Sequence, residues 1–206
     1  MFMLYAIPLG LLLGWVFGGK IEGLAQARLR FTPLFILAML VRVVMFETPL
    51  GETAWGRAAV PWVNIGVPAA LLVVLLPSLQ HWGVRLAVLG VACNLLAITA
   101  NGGWMPLQPD LLIQIKGEAA GQAAIEELAR GDEATNVMLA MEQTRLVALT
   151  DIFALPAWVP FPNVFSIGDV LTLLGITLWI IEMMRTRDSN ASDPGLSLAT
   201  VGSVPG

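Results

Sequence analysis

Charge is scarce in this chain. Only 13% of its 206 residues are Asp, Glu, Lys or Arg, and 57% are apolar, where a soluble domain averages about 25% charged residues. Cysteine and histidine occur once each, as Cys93 and His81, which excludes an intramolecular disulfide and a Cys/His zinc site. Basic excess is missing too: 11 Lys and Arg stand against 15 Asp and Glu, so there is no electrostatic footprint for nucleic acid. The patterns G-x-S-x-G, H-E-x-x-H and C-x-x-C do not occur, and no metal or cofactor is expected. What is abundant is apolar length. Mean hydropathy is +0.77, too high for a disordered chain, and the class that remains is a polytopic membrane protein.

Five stretches are read as spans, each judged against the ~20 residues a helix needs to cross ~30 Å. They are 1–19, 31–46, 60–79, 82–100 and 164–184. Continuous apolar runs do not alternate as barrel strands do, so the fold class expected is all-α, a bundle of about five transmembrane helices. The first stretch has no basic leader and no cleavage site, and reads as a retained anchor. Lys20, Arg28, Arg30, Arg85, Arg185 and Arg187 fall on one side of a five-span arrangement, and most acids fall on the other. The positive-inside rule then puts the N-terminus outside and the C-terminus in the cytoplasm. Trp55, Trp62, Trp104 and Trp158 fall near the outer boundary, and Trp15, Trp82 and Trp179 near the inner one.

The outer loop, 102–163, is read as an amphipathic helical cap lying on the membrane. Pro109–Arg130 carries Leu111, Leu112, Ile115, Ile125 and Leu128 at helical spacing, and Glu133–Leu149 reads as a second helix. Pro156, Pro160 and Pro162 make an extended stretch after it. The tail, 188–206, is rich in Ser, Gly and Pro and reads as a disordered cytoplasmic segment.

Four polar residues share one depth. Arg42, Asn64, Asn94 and Asp169 each lie four to six residues inside the outer end of a span, about 6–9 Å below the boundary at 1.5 Å per residue. A charge inside a bilayer is costly unless paired, so Arg42 and Asp169 are expected to face each other with Asn94, Asn64 and Thr172 beside them. That cluster reads either as a salt bridge fixing helix register or as a polar site open to the outside. Gly90 and Asn94 on the fourth span, and Gly168, Asp169, Thr172 and Gly175 on the fifth, form inward stripes of small and polar residues. Gly10, Gly14 and Gly18 make a third stripe, suited to packing within the chain or against a partner subunit. Gly14-x-x-x-x-Gly19-Lys20 resembles a phosphate-binding loop only superficially, because Ile21 stands where Ser or Thr is needed.

Two motifs flank the outer loop: Asn101-Gly102-Gly103-Trp-Met-Pro106, and Phe161-Pro-Asn163-Val-Phe-Ser166-Ile-Gly-Asp-Val170. With Thr144-Arg145-Leu146 and Asp151-Ile-Phe-Ala-Leu-Pro156, these resemble a family of small bacterial multi-pass membrane proteins built on a domain of unknown function. The resemblance spans Met1 to Arg185 and implies a bacterial plasma membrane, with no activity attached. Physically, Asn101-Gly102-Gly103 suits a sharp turn with positive φ, and Asn163 or Ser166 suits a cap for the last helix. The role expected is a non-enzymatic accessory subunit in the lipid bilayer that binds a membrane partner or a second copy. A small transporter using Arg42, Asn94 and Asp169 is the alternative. A third option is an enzyme at the outer face with Asp151 or Asp169 as base, which requires a second acid, base or metal ligand nearby in the fold.

Overall fold

A computed structural model describes residues 5–25, 32–131 and 137–186, and it is mostly helical. The helices in chain order are α1 (Ala6–Val16), α2 (Glu22–Ala25), α3 (Thr32–Glu47), α4 (Ala54–Leu75), α5 (Trp82–Ala100), α6 (Pro109–Lys116), α7 (Glu118–Arg130) and α8 (Ile167–Arg185). Three are long and apolar enough to cross a membrane: Ala54–Ser78, Trp82–Ala100 and Ile167–Arg185. Helix α1 has 11 residues and α3 has 16, which reach about 16 and 24 Å. The ends of the first two expected spans (residues 1–4 and 31) and the expected tail lie outside the described residues.

The membrane-length helices begin and end where local chemistry tells them to. Thr53 caps α4, its Oγ1 accepting from the Gly56 N–H at 3.0 Å, and a 3-10 turn over Leu76–Ser78 closes it at Pro77. Ser166 opens α8 with a capping box: its Oγ accepts from the Asp169 N–H at 3.0 Å, and its own N–H donates to Asp169 Oδ2 at 3.1 Å. Asn101 ends α5, after which Gly102 and Gly103 take φ of +72° and +99°.

Glycine brings α5 and α8 together, running antiparallel. A Cβ on Gly90 would meet the Gly168 carbonyl and Thr172, and one on Gly175 would meet Ala87 and the Gly83 carbonyl. Backbones therefore touch along this seam, the arrangement small residues permit in lipid, where apolar burial drives little. Helix α1 runs parallel to α8: Gly10 meets Ile180, and Gly14 meets Met184. The first two glycines of the N-terminal stripe are thus used within the chain, while Gly18 (φ +76°) has open space where its side chain would be. Helix α3 packs chiefly on α4, and α4 on α5.

The loop folds back on itself. Helices α6 and α7 are separate because Gly117 takes φ +84° between them, and a Cβ on Gly121 would strike the backbone at Ile113. Residues 137–139 correct the helix expected over Glu133–Leu149. They form β2 (Val137–Leu139), parallel to β1 (Met105–Leu107) in the register Met105↔Val137, Pro106↔Met138 and Leu107↔Leu139; residues 132–136 lie outside the described set. Leu107, Leu112 and Ala124 form a buried cluster under Ile115, Ile125, Leu128, Val137, Leu139 and Val164. The apolar residues of α6 and α7 thus pack into a small core of their own. A hairpin of β3 (Phe153–Ala154) and β4 (Val164–Phe165), with the Phe153 and Phe165 rings stacked at 5.5 Å, leads into α8.

Candidate functional site

The site lies where α5 ends and α8 begins. Asn94 Nδ2 donates to Asp169 Oδ1 at 2.7 Å, and Asn94 Oδ1 accepts from Ser166 Oγ at 2.7 Å. With the two capping bonds, Asn94, Ser166 and Asp169 close into a ring that fixes the Asp169 carboxylate at the first turn of α8, where the helix N-terminus also favours negative charge. Gly168 admits this ring, because a Cβ there would collide with the Asn94 side chain. Thr172, buried one turn deeper, donates its hydroxyl proton to the Gly168 carbonyl at 2.8 Å.

Asp151 is the second carboxylate. It is 7% exposed, and its Oδ1 has no hydrogen-bond partner. Its backbone is tied to the strand segment: its N–H donates to the Pro106 carbonyl at 3.0 Å, and its carbonyl accepts from the Gln108 N–H at 3.4 Å. Burial raises the Asp151 pKa from 3.8 to about 7, and the negative charge of Asp169 pushes it the same way. One carboxylate is thus held in place by donors, and the other is left short of them. A carboxyl whose pKa burial brings near neutral pH is suited to exchange a proton there.

Asn64 on α4 is tied to the turn that follows α5. It is 2% exposed; Nδ2 donates to the Gly103 carbonyl at 2.8 Å, and Oδ1 is left without a donor. Gly103 must be glycine here, since its φ is +99° and Pro61 of α4 occupies the position of a side chain.

Of the residues expected to cluster, Asn94, Asp169 and Thr172 come together, with Gly90, Gly168 and Gly175 providing the close approach and the cap residue Ser166 closing the ring; Asn64 bonds instead to the Gly103 carbonyl. Arg42 does not face Asp169, which corrects the expected pair. Its guanidinium lies over the Phe46 ring, 5.1 Å from the centroid, on a helix that packs against α4. Equal depth in two spans does not make them neighbours. Asn101 is committed elsewhere: Nδ2 donates to the Ala97 and Arg145 carbonyls at 2.8 and 2.9 Å, and Oδ1 accepts from the Arg145 N–H at 2.9 Å. Asn163 contributes its backbone carbonyl to the β3–β4 hairpin, accepting from the Leu155 N–H, and Ser166 provides the cap.

Glu182 was not singled out in the sequence. It stands near the far end of α8, where Oε2 lies 3.7 Å from His81 Nδ1 and Oε1 accepts from the Gly83 N–H at 3.4 Å. The separation of 101 positions between His81 and Glu182 hides the pair. The usable signal was a lone acid near the end of an apolar stretch opposite the only histidine.

The model of DUF5317, a family of unknown function, matches residues 26–181, and the chain belongs to that family. No curated protein and no solved structure matches it.

Proposed function

We propose that this DUF5317 member is a multi-pass protein of the bacterial plasma membrane that couples proton binding at Asp151 to movement of a small solute or ion. The carrying observation is the Asp151 carboxyl, buried with one oxygen unpartnered beside the fixed charge of Asp169. A buried acceptor without a donor is costly by about 1–3 kcal/mol. Retaining it makes sense when the group exchanges a proton near neutral pH. In this reading Asp151 takes up and releases the proton, and Asp169 is the carboxylate that Asn94 and Ser166 hold in place. The orientation follows the distribution of Lys and Arg, with the N-terminus and the α5–α8 loop outside. Parallel α1 and α8, opposed by α5, suit five crossings in that order.

The accessory-subunit reading has less to stand on, because Gly10 and Gly14 are already filled by α8. The enzymatic reading gains the second acid it needed, but the Ser166 hydroxyl beside Asp169 is engaged with Asn94 and the Asp169 N–H, and no group of metal-ligating side chains occurs among the described residues.

Infrared difference spectroscopy of the reconstituted protein between pH 5 and pH 9 tests the proton step. The expected result is one protonated-carboxyl band that disappears with a midpoint of about 7 and is missing in Asp151→Asn. In Asp169→Asn the midpoint moves to lower pH, because the charge that raises it is gone; the one remaining oxygen can keep the bond from Asn94 or the bond from the Ser166 N–H, which the two oxygens of Asp169 accept separately. The absence of a titrating band in the native protein, or a band unchanged in Asp151→Asn, sinks the proposal. Transport is then assayed in liposomes holding a pH-sensitive dye. A solute that drives proton entry through the native protein must fail to do so through Asp151→Asn.

A further inference from the structure

Residues 141–147 carry a feature that the proton site does not use. Asn101, the C-terminal cap of a membrane-length helix, grips the backbone of Arg145 from both sides, donating to its carbonyl and accepting from its N–H at 2.9 Å each. The next residue, Leu146, sits in the left-handed region at φ +52°, a conformation that L-residues with a Cβ seldom adopt. Asn101 thus fixes the backbone on which the neighbouring side chains stand. Met141, Leu146 and Val147 are large, apolar and exposed, and Arg145 is exposed beside them. No carboxylate among the described residues lies within ion-pair distance of the Arg145 guanidinium.

The position of this segment limits what can cover it. The 3-10 turn over Val147–Leu149 packs against both α5 and α8, and Asn101 joins residue 145 to the last turn of α5. The exposed side chains therefore lie beside the loop-side ends of two helices long and apolar enough to cross a membrane, which in the membrane reading proposed above is where hydrocarbon gives way to headgroups. Aliphatic side chains flanking an arginine at that depth match the two layers they meet, acyl chains and phosphates. Arginine is the side chain best suited to hold a phosphate with two donors.

We propose that Arg145 is a phospholipid-binding residue: its guanidinium holds the phosphate of a lipid headgroup while Met141, Leu146 and Val147 rest against the acyl chains, and Asn101 positions it. The purified protein is titrated in detergent with dioctanoyl phosphatidylglycerol, and bound lipid is counted by native mass spectrometry. Arg145→Gln weakens binding roughly tenfold or more, as expected for a charged hydrogen bond to phosphate, and Arg145→Lys weakens it less. Asn101→Ala weakens it with Arg145 still present; because that cap variant can fail to fold, Arg145→Gln, at an exposed position, is the deciding one. Equal binding by native protein and Arg145→Gln overturns the assignment. So does equal binding of dioctanoylglycerol, which lacks the phosphate, or full displacement of the lipid by inorganic phosphate at matching concentration, which identifies a free anion as the ligand.

Discussion

Replacing Asp151 by Asn should make the protein more stable, and only above a certain pH. The folded chain holds the Asp151 carboxyl proton up to about pH 7, whereas the ordinary value is 3.8. Between those two values the folded state binds more protons than the unfolded one, so stability falls as pH rises and levels off above about 7. By pH 8 the ionised, buried Asp151 costs the folded state about 4 kcal/mol relative to pH 3, at 1.36 kcal/mol for each tenfold change in proton binding. Asparagine has nearly the shape of the protonated acid, stays neutral and adds a donor, so it escapes this cost. The assay is thermal unfolding in detergent at a fixed scan rate, comparing native protein with Asp151→Asn from pH 4 to pH 8. At pH 4 the two should melt together. At pH 8 the variant should melt of order 10 °C higher, since roughly 2–4 °C accompany each kcal/mol in a chain of this size. A variant that melts lower than the native protein at pH 8 refutes the reasoning, because Asp151 is then satisfied and ionised in the fold; so does an advantage that is the same at pH 4, because the gain then has nothing to do with ionisation.

Two other predictions come from the α5–α8 seam. Gly90→Ala should destabilise the protein by about 1–3 kcal/mol through overpacking against the Gly168 carbonyl and Thr172; Gly66→Ala on α4, with nothing within 4 Å of the new methyl, should be neutral or stabilising by up to about 1 kcal/mol. Thermal melting of both variants checks this, and equal losses would mean the seam is not a close contact. Because backbone contact closes the seam, Asp151 should exchange its proton from the loop side; in liposomes with pH varied independently on the two faces, its infrared band should follow the loop-side pH, and a band tracking the opposite face would show a proton path through the bundle.

The sequence disclosed most about features that are local or periodic. The cap of α8 was visible as Ser166 three residues before Asp169, and the stripe through Gly90 and Asn94 identified the face that meets a neighbour. Depth placed Asn94 and Asp169 together because α5 and α8 are adjacent. The same depth placed Arg42 there wrongly, since depth is one coordinate and the choice of neighbouring helix is another. Arg42 found an aromatic ring four residues along its own helix. Asn64 was drawn to a backbone carbonyl, at Gly103, which no side-chain pattern announces. Strand β2 was hidden for a related reason. Three residues carry no period, and Val137–Leu139 became extended through pairing with a segment 32 positions earlier, where tertiary contact overrides helical spacing. The acidity of Asp151 was likewise out of sight, because it depends on which donors are missing from around a folded carboxyl.

Small residues and the Asp151 carboxyl therefore make opposite demands on the same bundle. Apolar side chains such as Trp15, Trp55 and Trp62 face outward, and cohesion among α1, α5 and α8 rests on backbone approach at glycine and on the polar ring at Asn94, Ser166 and Asp169. Every atom added to that seam works against the fold. Asp151 adds nothing to cohesion: its unpartnered oxygen and its proximity to Asp169 weaken the folded state at the pH where it would lose its proton. Packing alone would have left an amide or an aliphatic side chain there. The two kinds of position separate by sign, since filling a glycine lowers stability at every pH and neutralising Asp151 raises it only where the acid would ionise. A residue whose neutral replacement strengthens the fold is one that folding does not account for, and this makes Asp151, ahead of Arg42 or the glycine stripe, the residue around which the activity of the chain is to be sought.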